Sequence, residues 1–365
     1  MQLVSVSILN YKNISESNLQ FSPKINCFLG DNGMGKTNFL DAIYYLSFCK
    51  SHSNSIDTQN IRHNEEFFMI TGEYLRNQSP ESIYCALKRR QKKQFRRNKK
   101  EYDRLSDHIG LLPLVMVSPD DAGLISGGSD ERRKFIDGVI SQYNKTYLQY
   151  LLNYATLLKQ RNTLLKDENQ QDDTIFGILE EQLDSLGSYI YSERKKFIDA
   201  FIPVFQDFYT QISGGFEQVS LGYTSQYSEQ PSLADKLKAT RNRDRMIGYT
   251  TSGIHKDELE MLLDAYPIKR VGSQGQNKTY LISLKFAQFE FLKKIHGIKP
   301  ILLLDDIFDK LDSKRVSQIV TLVASDLFGQ IFITDTNREH LDGILAGLNH
   351  EALIFTVSDG FAQQA

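Results

Sequence analysis

Residues 2–9 alternate apolar and polar positions, with Leu3, Val6 and Ile8 prominent, a period of two that predicts a half-buried strand. Residues 19–21 read as its hairpin partner beyond the turn at Tyr11, Lys12 and Asn13. Residues 24–29 (KINCFL) predict a short buried strand, and residues 38–49 carry apolar residues at helical spacing. Two β-rich runs, FFMITGEYL and SIYCAL, split by the turn-like RNQSPE, predict a meander. Residues 111–117 (LLPLVMV) predict a further buried strand, ending at Ser118, Pro119, Asp120 and Asp121. Gly127, Gly128 and Ser129 then open a helix, on which Arg133 and Asp137 are spaced for an i,i+4 surface pair.

The period then changes. Leu148, Leu151, Ala155, Leu158, Asn162 and Leu165 fall at alternating spacings of three and four, an apolar seam of helical type. A polar, acidic turn at 167–173 interrupts it. Leu179, Leu183, Leu186, Ile190, Phe197 and Phe201 resume it, so the chain is expected to run out along one helix and back along another. An arm of about 25 to 30 residues would reach some 40 Å. Past Pro203 and the Gly214-Gly215 break, strands are expected to return and complete the sheet, as FEQVSLGY, MIGYTTSGI and LEMLLDAYPIKRV, with a short basic helix, ADKLKATRNRDR, between the first two. A helix over 277–295 follows, with Leu284, Ala287, Phe291 and Ile295 on one face. Residues 301–304, four consecutive apolar positions before two aspartates, predict a buried parallel strand.

Composition narrows this frame. With 365 residues, 41% of them hydrophobic, the chain can bury a sizeable core and suggests about two domains. Forty-three Lys and Arg against 45 Asp and Glu leave a net charge of −2, so only local patches bear on polyanion binding. Cys27, Cys49 and Cys85 lie in apolar contexts without metal-ligand spacing, which suits a reducing cytoplasm. The first residues lack a basic segment followed by an apolar one, and no run of 18 apolar residues occurs; a cytoplasmic protein, neither exported nor membrane-spanning, is expected.

Candidate chemistry sits where strand gives way to helix. Residues 30–37 read GDNGMGKT and fit G-x-x-x-x-G-K-[ST] at every fixed position, so Gly30, Asp31, Asn32, Gly33, Met34, Gly35, Lys36 and Thr37 form a candidate phosphate loop. The glycines clear the way for backbone N–H groups, the following helix presents its positive end, Lys36 would reach β- and γ-phosphates, and Thr37 would bind Mg²⁺. The second half lies at Asp305 and Asp306, released at a strand end where open α/β sheets carry their sites. Asp305 would hold the Mg²⁺ shell, and Asp306 would orient or deprotonate the attacking water. Lys36 and Asp305 are 305 − 36 = 269 residues apart, so one ATPase head must be assembled from both ends of the chain, with the helical arm inserted.

Three further features stand beside this site. Ser273, Gly275 and Gln276 (SQGQ) make a second helix N-terminus suited to phosphate, which is best used on nucleotide bound to another copy of the chain. Lys12, in the turn before the loop, reads either as a cation within reach of nucleotide phosphate or as a solvated turn lysine. Residues 88–100 hold nine Lys or Arg in 13 positions; this reads first as an exposed, solvated hairpin continuing the sheet and second as a footprint for DNA.

The ordered set GDNGMGKT, SQGQ, LLLDD and DKLD (309–312) resembles the ATPase heads of the ABC, SMC and RecF group. Over nearly its whole length the chain is similar to the RecF family of bacterial recombination and gap-repair ATPases, through IRH (61–63), SPDD (118–121), ERRKFID (131–137), LLKQRN (157–162) and IHKDEL (254–259). Asp306, where transporter and SMC heads carry Glu, points the same way. The resemblance implies an α/β fold, an ABC/SMC-type P-loop ATPase head of mixed sheet and flanking helices, split by an α-helical lobe with a short antiparallel arm. The divisions would be 1–128 and 213–365 for the head and 129–212 for the lobe. It also implies ATP and Mg²⁺ as cofactors, an ATP-dependent homodimer, weak DNA-stimulated hydrolysis used as a switch, and ATP-dependent binding of single-stranded, duplex or gapped DNA in the cytoplasm at the nucleoid. RecR and RecO would be partners in loading RecA, in replication restart and in the SOS response. It adds Arg62 to Lys12 as a candidate nucleotide contact. Two departures remain: Gly253-Ile254-His255 lacks the proline of the usual GPH, and Thr334, Asp335 and Thr336 end a strand without a switch histidine, leaving the γ-phosphate sensor unassigned. The alternatives are the ATPase subunit of an ABC-type transporter, another SMC-like ATPase, or a small-molecule kinase.

Overall fold

In a computed structural model describing residues 1–167, 173–228, 232–336, 338 and 352–365, the N-terminal pattern builds β1 (Gln2–Tyr11), β2 (Ile14–Gln20), β3 (Ile25–Leu29), α1 (Lys36–Phe48), β4 (Phe67–Arg76), β5 (Ser79–Lys88), β6 (Gln94–Arg97), β7 (Lys100–Glu101) and β8 (Leu114–Val117). Leu3 and Val6 differ in parity yet are both buried. A register shift against β4 between Leu3 and Ser5 accounts for this, because it turns Val4 outward and resets the alternation. An antiparallel sheet results, in the order β2-β1-β4-β5-β6-β7, and β6 and β7 carry the expected hairpin at its edge.

Within the second unit, Gly123–Thr210 with Phe216–Gly272, come α2 (Gly123–Ser126), α3 (Ser129–Tyr143), α4 (Lys145–Leu165), α5 (Asp173–Ser213, all but its last three residues), β9 (Val219–Thr224), α6 (Leu233–Ile247), β10 (Glu258–Leu263), β11 (Tyr266–Pro267) and α7 (Ile268–Val271). The returning helix is longer than expected: α5 has 41 residues and runs through Pro203, about 60 Å at 1.5 Å per residue. Of the acidic turn at 167–173, residues 168–172 lie outside the described residues. The seam of α4 is also displaced. Tyr147, Tyr154, Arg161 and Leu165 are its buried residues, whereas Leu148, Leu151 and Leu158 are half-buried and Ala155 is exposed. Polar contacts turn the helix this way: Arg161 Nη1 donates to Asp244 at 2.8 Å and its Nη2 to Glu180 at 3.0 Å.

The strands expected after residue 213 do not complete the head. β9, β10 and β11 form a separate three-stranded sheet, and the chain rejoins the first unit at Ser273. The stretch MIGYTTSGI is not a strand. Gly248 caps α6 at φ 74°, Thr250 bonds the Asn162 carboxamide through N and Oγ1, and Thr251 bonds Asp244 likewise, so side chains satisfy groups a ladder would have used. Arg133 and Asp137 do not pair with each other. Arg133 donates to Asp130 and, at 2.6 Å, to the Asp257 carbonyl, while Asp137 receives Tyr147 and Arg194.

The returning segment supplies α8 (Gln274–His296), β12 (Ile301–Asp305), α9 (Ser313–Ala324), β13 (Ile331–Asp335), β14 (Ala352–Ser358) and β15 (Phe361–Gln364). Here α8 is buried continuously from Thr279 to Phe289, while Phe291 is half-buried and Ile295 exposed, so it is a core helix rather than one with a single apolar face. A second sheet has the order β15-β14-β3-β13-β12-β8, parallel except for β15. Phe39, Leu40, Ile43 and Leu46 of α1 share one core with both sheets of this unit, and Phe39 stacks on Phe28 of β3 at 5.3 Å between centroids. Cys27, Cys49 and Cys85 are buried, and none is in a disulfide among the described residues. Among the described residues no helix is long and apolar enough to cross a membrane.

Candidate functional site

Parallel order brings the two halves of the site together. β13 lies between β3 and β12, pairing Asp335 with Leu29 and Thr334 with Asp305, so the chain leaves all three strands at one edge of the sheet. From β3 it enters the glycine loop. Gly33 and Gly35 have φ of 83° and 98°, values that cost an L side chain strain. A Cβ on Gly30 would strike the Val357 carbonyl of β14, and one on Gly35 would strike the Asn13 carboxamide. The Lys36 ammonium folds back over the loop, 2.7 Å from the Gly30 carbonyl and 2.9 Å from that of Asp31. Its charge is therefore concentrated where the loop curves and α1 begins.

Thr37, one residue into α1, donates its hydroxyl to Asp305 at 2.9 and 3.0 Å from the two carboxylate oxygens. Thr334 donates to Asp305 Oδ1 at 2.6 Å. Burial raises the Asp305 pKa above the ordinary carboxylate value, and the neighbouring Asp306 charge adds to this, against the lowering effect of both threonines and Lys36. A divalent cation would reverse that balance. Thr37 and Asp305 offer hard oxygen donors of the kind Mg²⁺ takes alongside phosphate oxygens and water. Among the described residues no group of three or more His, Cys, Asp or Glu is arranged to hold a metal. Asp306 has left the strand at φ 49°, its N–H 3.1 Å from Thr334 Oγ1.

The remaining candidates fall in three places. Lys12 is at φ 51°, and its ammonium lies 2.6 Å from Asp41 of α1 and 2.7 Å from Ser53 Oγ. Burial alone would raise the Asp41 pKa; Lys12, Tyr11 and Ser51 overcome it and hold the carboxyl low. Arg62 is fixed through its backbone, N–H to the Asn10 carbonyl at 2.9 Å. Ser273 and Gln276 form a capping box at the exposed start of α8: the Gln276 N–H donates to Ser273 Oγ at 3.2 Å and the Ser273 N–H to Gln276 Oε1 at 2.8 Å.

Several residues that shape the site have little signal in sequence. Asn13 accepts from Asn38 at 2.7 Å and donates to the Met34 carbonyl at 3.3 Å, bracing the loop from β1's turn. The Gly360 N–H donates to the same Met34 carbonyl at 2.9 Å. Asp359-Gly360, with φ of 48° and 77°, is a tight hairpin turn readable as DG, although nothing in that dipeptide points to the loop. Lys278 of α8 donates to the Asp306 carbonyl at 3.0 Å, and burial lowers its pKa.

The model of the RecF/RecN/SMC N terminal domain family matches residues 2–349. The DNA replication and repair protein RecF of Phocaeicola vulgatus is 60% identical over 362 residues, covering 99% of this chain and 97% of that protein. RecF of Flavobacterium johnsoniae is 50% identical over 361 residues, covering 98% and 100%. A solved structure of the recombination mediator protein RecF with ATP, of the RecFOR pathway, superposes with a TM-score of 0.89 at 27% identity, covering 100% of this chain and 97% of that one. An SMC head bound to the C-terminal winged-helix domain of ScpA, at TM-score 0.59 and 16% identity, shares the fold alone. With the loop of β3 and the carboxylate of β12 assembled as above, the chain belongs to the RecF family of DNA replication and repair proteins.

Proposed function

We propose that this chain is an ATP-dependent DNA-binding protein of recombinational gap repair and replication restart, in which ATP binding closes two copies on DNA and slow hydrolysis releases them. The observation that carries this is the 2.9 Å contact between Thr37 and Asp305, from opposite ends of the chain. In this reading Lys36 and the loop amides hold the β- and γ-phosphates, and Thr37 and Asp305 hold Mg²⁺. Asp306 positions the attacking water, and Ser273 with Gly275 meets the γ-phosphate of the nucleotide on the second copy. The exposed, preformed cap of α8 supports that last role, since its geometry is already set by Gln276. Lys12, in the β1–β2 turn and paired with Asp41 of α1, and Arg62, whose N–H bonds the Asn10 carbonyl, serve as nucleotide contacts in this reading on family resemblance. Partnership with RecR and RecO in loading RecA, support of the SOS response and a cytoplasmic, nucleoid location rest on family membership. The first test is light scattering with and without ATP and Mg²⁺, followed by DNA titration under the same conditions. A dimer with tightened DNA binding is expected, and an unchanged monomer with Lys36 intact would overturn the proposal.

A further inference from the structure

The basic hairpin is tied to the nucleotide helix. Lys93, at its base, donates to the Cys49 carbonyl that ends α1 at 2.6 Å and pairs with Asp57 at 2.6 Å. Phe95 is buried against His108, whose Nε2 donates to the Leu46 carbonyl of α1 at 2.7 Å. Arg97 is paired with Glu81 at 2.7 Å. These three residues absorb the hairpin's structural work. By contrast Lys88, Arg90, Lys92, Lys99 and Lys100 are exposed, and none forms an ion pair among the described residues. Arg90 and Lys99 occupy turns at φ 62° and 71°, at opposite ends of β6, so the unpaired charge runs along a sheet edge roughly 20 Å long at 3.3 Å per residue. Glu101 of β7, opposite Arg96, is an acid within this stripe. A chain with net charge −2 has no bulk reason to concentrate cations here.

We infer that this edge hairpin is the surface that takes the DNA phosphate backbone, and that Lys93 and Phe95 connect it to the end of the helix whose other end carries Lys36. The inference rests on the proposed DNA-binding function and names its surface. A duplex carries one charge per about 1.7 Å of axis, so a 20 Å edge faces about a dozen phosphates, of which five cations engage a few.

The test is fluorescence anisotropy of a labelled gapped duplex with ATP and Mg²⁺ across a salt series. It compares wild type, a variant with Arg90, Lys92, Lys99 and Lys100 changed to Gln, and a control with Lys159, Lys195, Lys238 and Lys294 changed to Gln. The hairpin variant is expected to lose about tenfold or more in affinity near 100 mM salt, with the slope of log K against log salt shallower by about three, while the control keeps the wild-type slope. Its binding of a fluorescent ATP analogue should equal wild type, because the anchors Lys93, Phe95 and Arg97 are untouched. Equal loss in hairpin and control variants would show bulk charge at work and overturn the assignment. Unaltered DNA binding by the hairpin variant would overturn it too; with new aggregation, the cations would serve only to guard a sheet edge. If wild type itself fails to bind DNA with ATP, the proposed function falls and this assignment with it.

Discussion

At the scale of single residues, Asp305 is held in a state that disfavours its own charge. Burial raises its pKa, so its contribution to stability is full below the unfolded value and is lost as pH rises through the folded one. The ionised carboxylate is therefore disfavoured in the ligand-free fold, and a bound cation would favour it. Asp305→Asn keeps an acceptor for Thr37 and Thr334 and removes the charge. It is expected to raise the melting temperature of the ligand-free chain by the equivalent of about 1 kcal/mol while abolishing Mg²⁺-dependent tightening of ATP binding. Calorimetry with a nucleotide titration checks both. Asp306→Asn acts on a different step: nucleotide should stay bound while phosphate release stops, and undiminished turnover would remove its proposed role. His255 gives a pH signature of opposite sign. Burial lowers its pKa to about 4, and it is locked neutral, Nε2 donating to the Thr250 carbonyl at 3.1 Å and Nδ1 accepting from Tyr154 at 3.2 Å. Between pH 6.5 and 4 the unfolded chain takes up a proton that the folded one refuses. Stability should fall as pH drops through that window by on the order of 3 kcal/mol, a loss absent from His255→Gln in denaturant titrations.

At the scale of elements, three of the segments that resemble the family outside the phosphate site, ERRKFID, LLKQRN and IHKDEL, contribute to a polar framework within the second unit. ERRKFID supplies Arg132, bonded to Glu258 of IHKDEL at 2.6 and 2.9 Å, and Asp137, bonded to Arg194. LLKQRN supplies Arg161, fully buried between Glu180, Asp244 and Thr250. Arg161→Leu would leave the buried Asp244 carboxylate without its cation, while Glu180 keeps Arg241 at 2.7 Å. A cost of about 3–5 kcal/mol is expected in urea unfolding, with nucleotide binding by the folded fraction retained. This framework explains what was and was not legible in sequence. The strands β1, β3, β4, β5, β8 and β12 and the loop were readable because alternation and apolar runs report burial directly. The seam of α4 was misplaced because its buried face is Tyr147, Tyr154 and Arg161, and a charge neutralised by residues 19 and 83 positions away has no local signature. For the same reason Arg133 and Asp137, well spaced for each other, were claimed by Asp257 and Arg194. The site followed the same rule. Lys36, Thr37 and Asp305 belong to fixed spacings and strand ends, whereas Asn13, Thr334 and Gly360 matter only through partners the fold delivers.

At the scale of the whole molecule, the open question is whether α8 presents its N-terminus to a second copy's nucleotide or merely caps itself. Ser273 does the second demonstrably, so replacing it by a residue that cannot cap would confuse the two roles: loss of a serine cap costs about 1 kcal/mol on its own. Ser273→Asp separates them. Aspartate caps as well as serine, and its charge suits a helix N-terminus, so the ligand-free chain should melt no lower than wild type. Toward a γ-phosphate, however, the same carboxylate presents like charge, and close approach in a nucleotide-bridged dimer becomes unfavourable. The expected result is an intact monomer that binds ATP normally through Lys36 and Thr37 yet stays monomeric by light scattering when ATP and Mg²⁺ are added. Ser273→Arg should also block dimerisation but at lower thermal stability. If Ser273→Asp dimerises as well as wild type, the helix end faces no phosphate, and closure of two copies must be built from another surface.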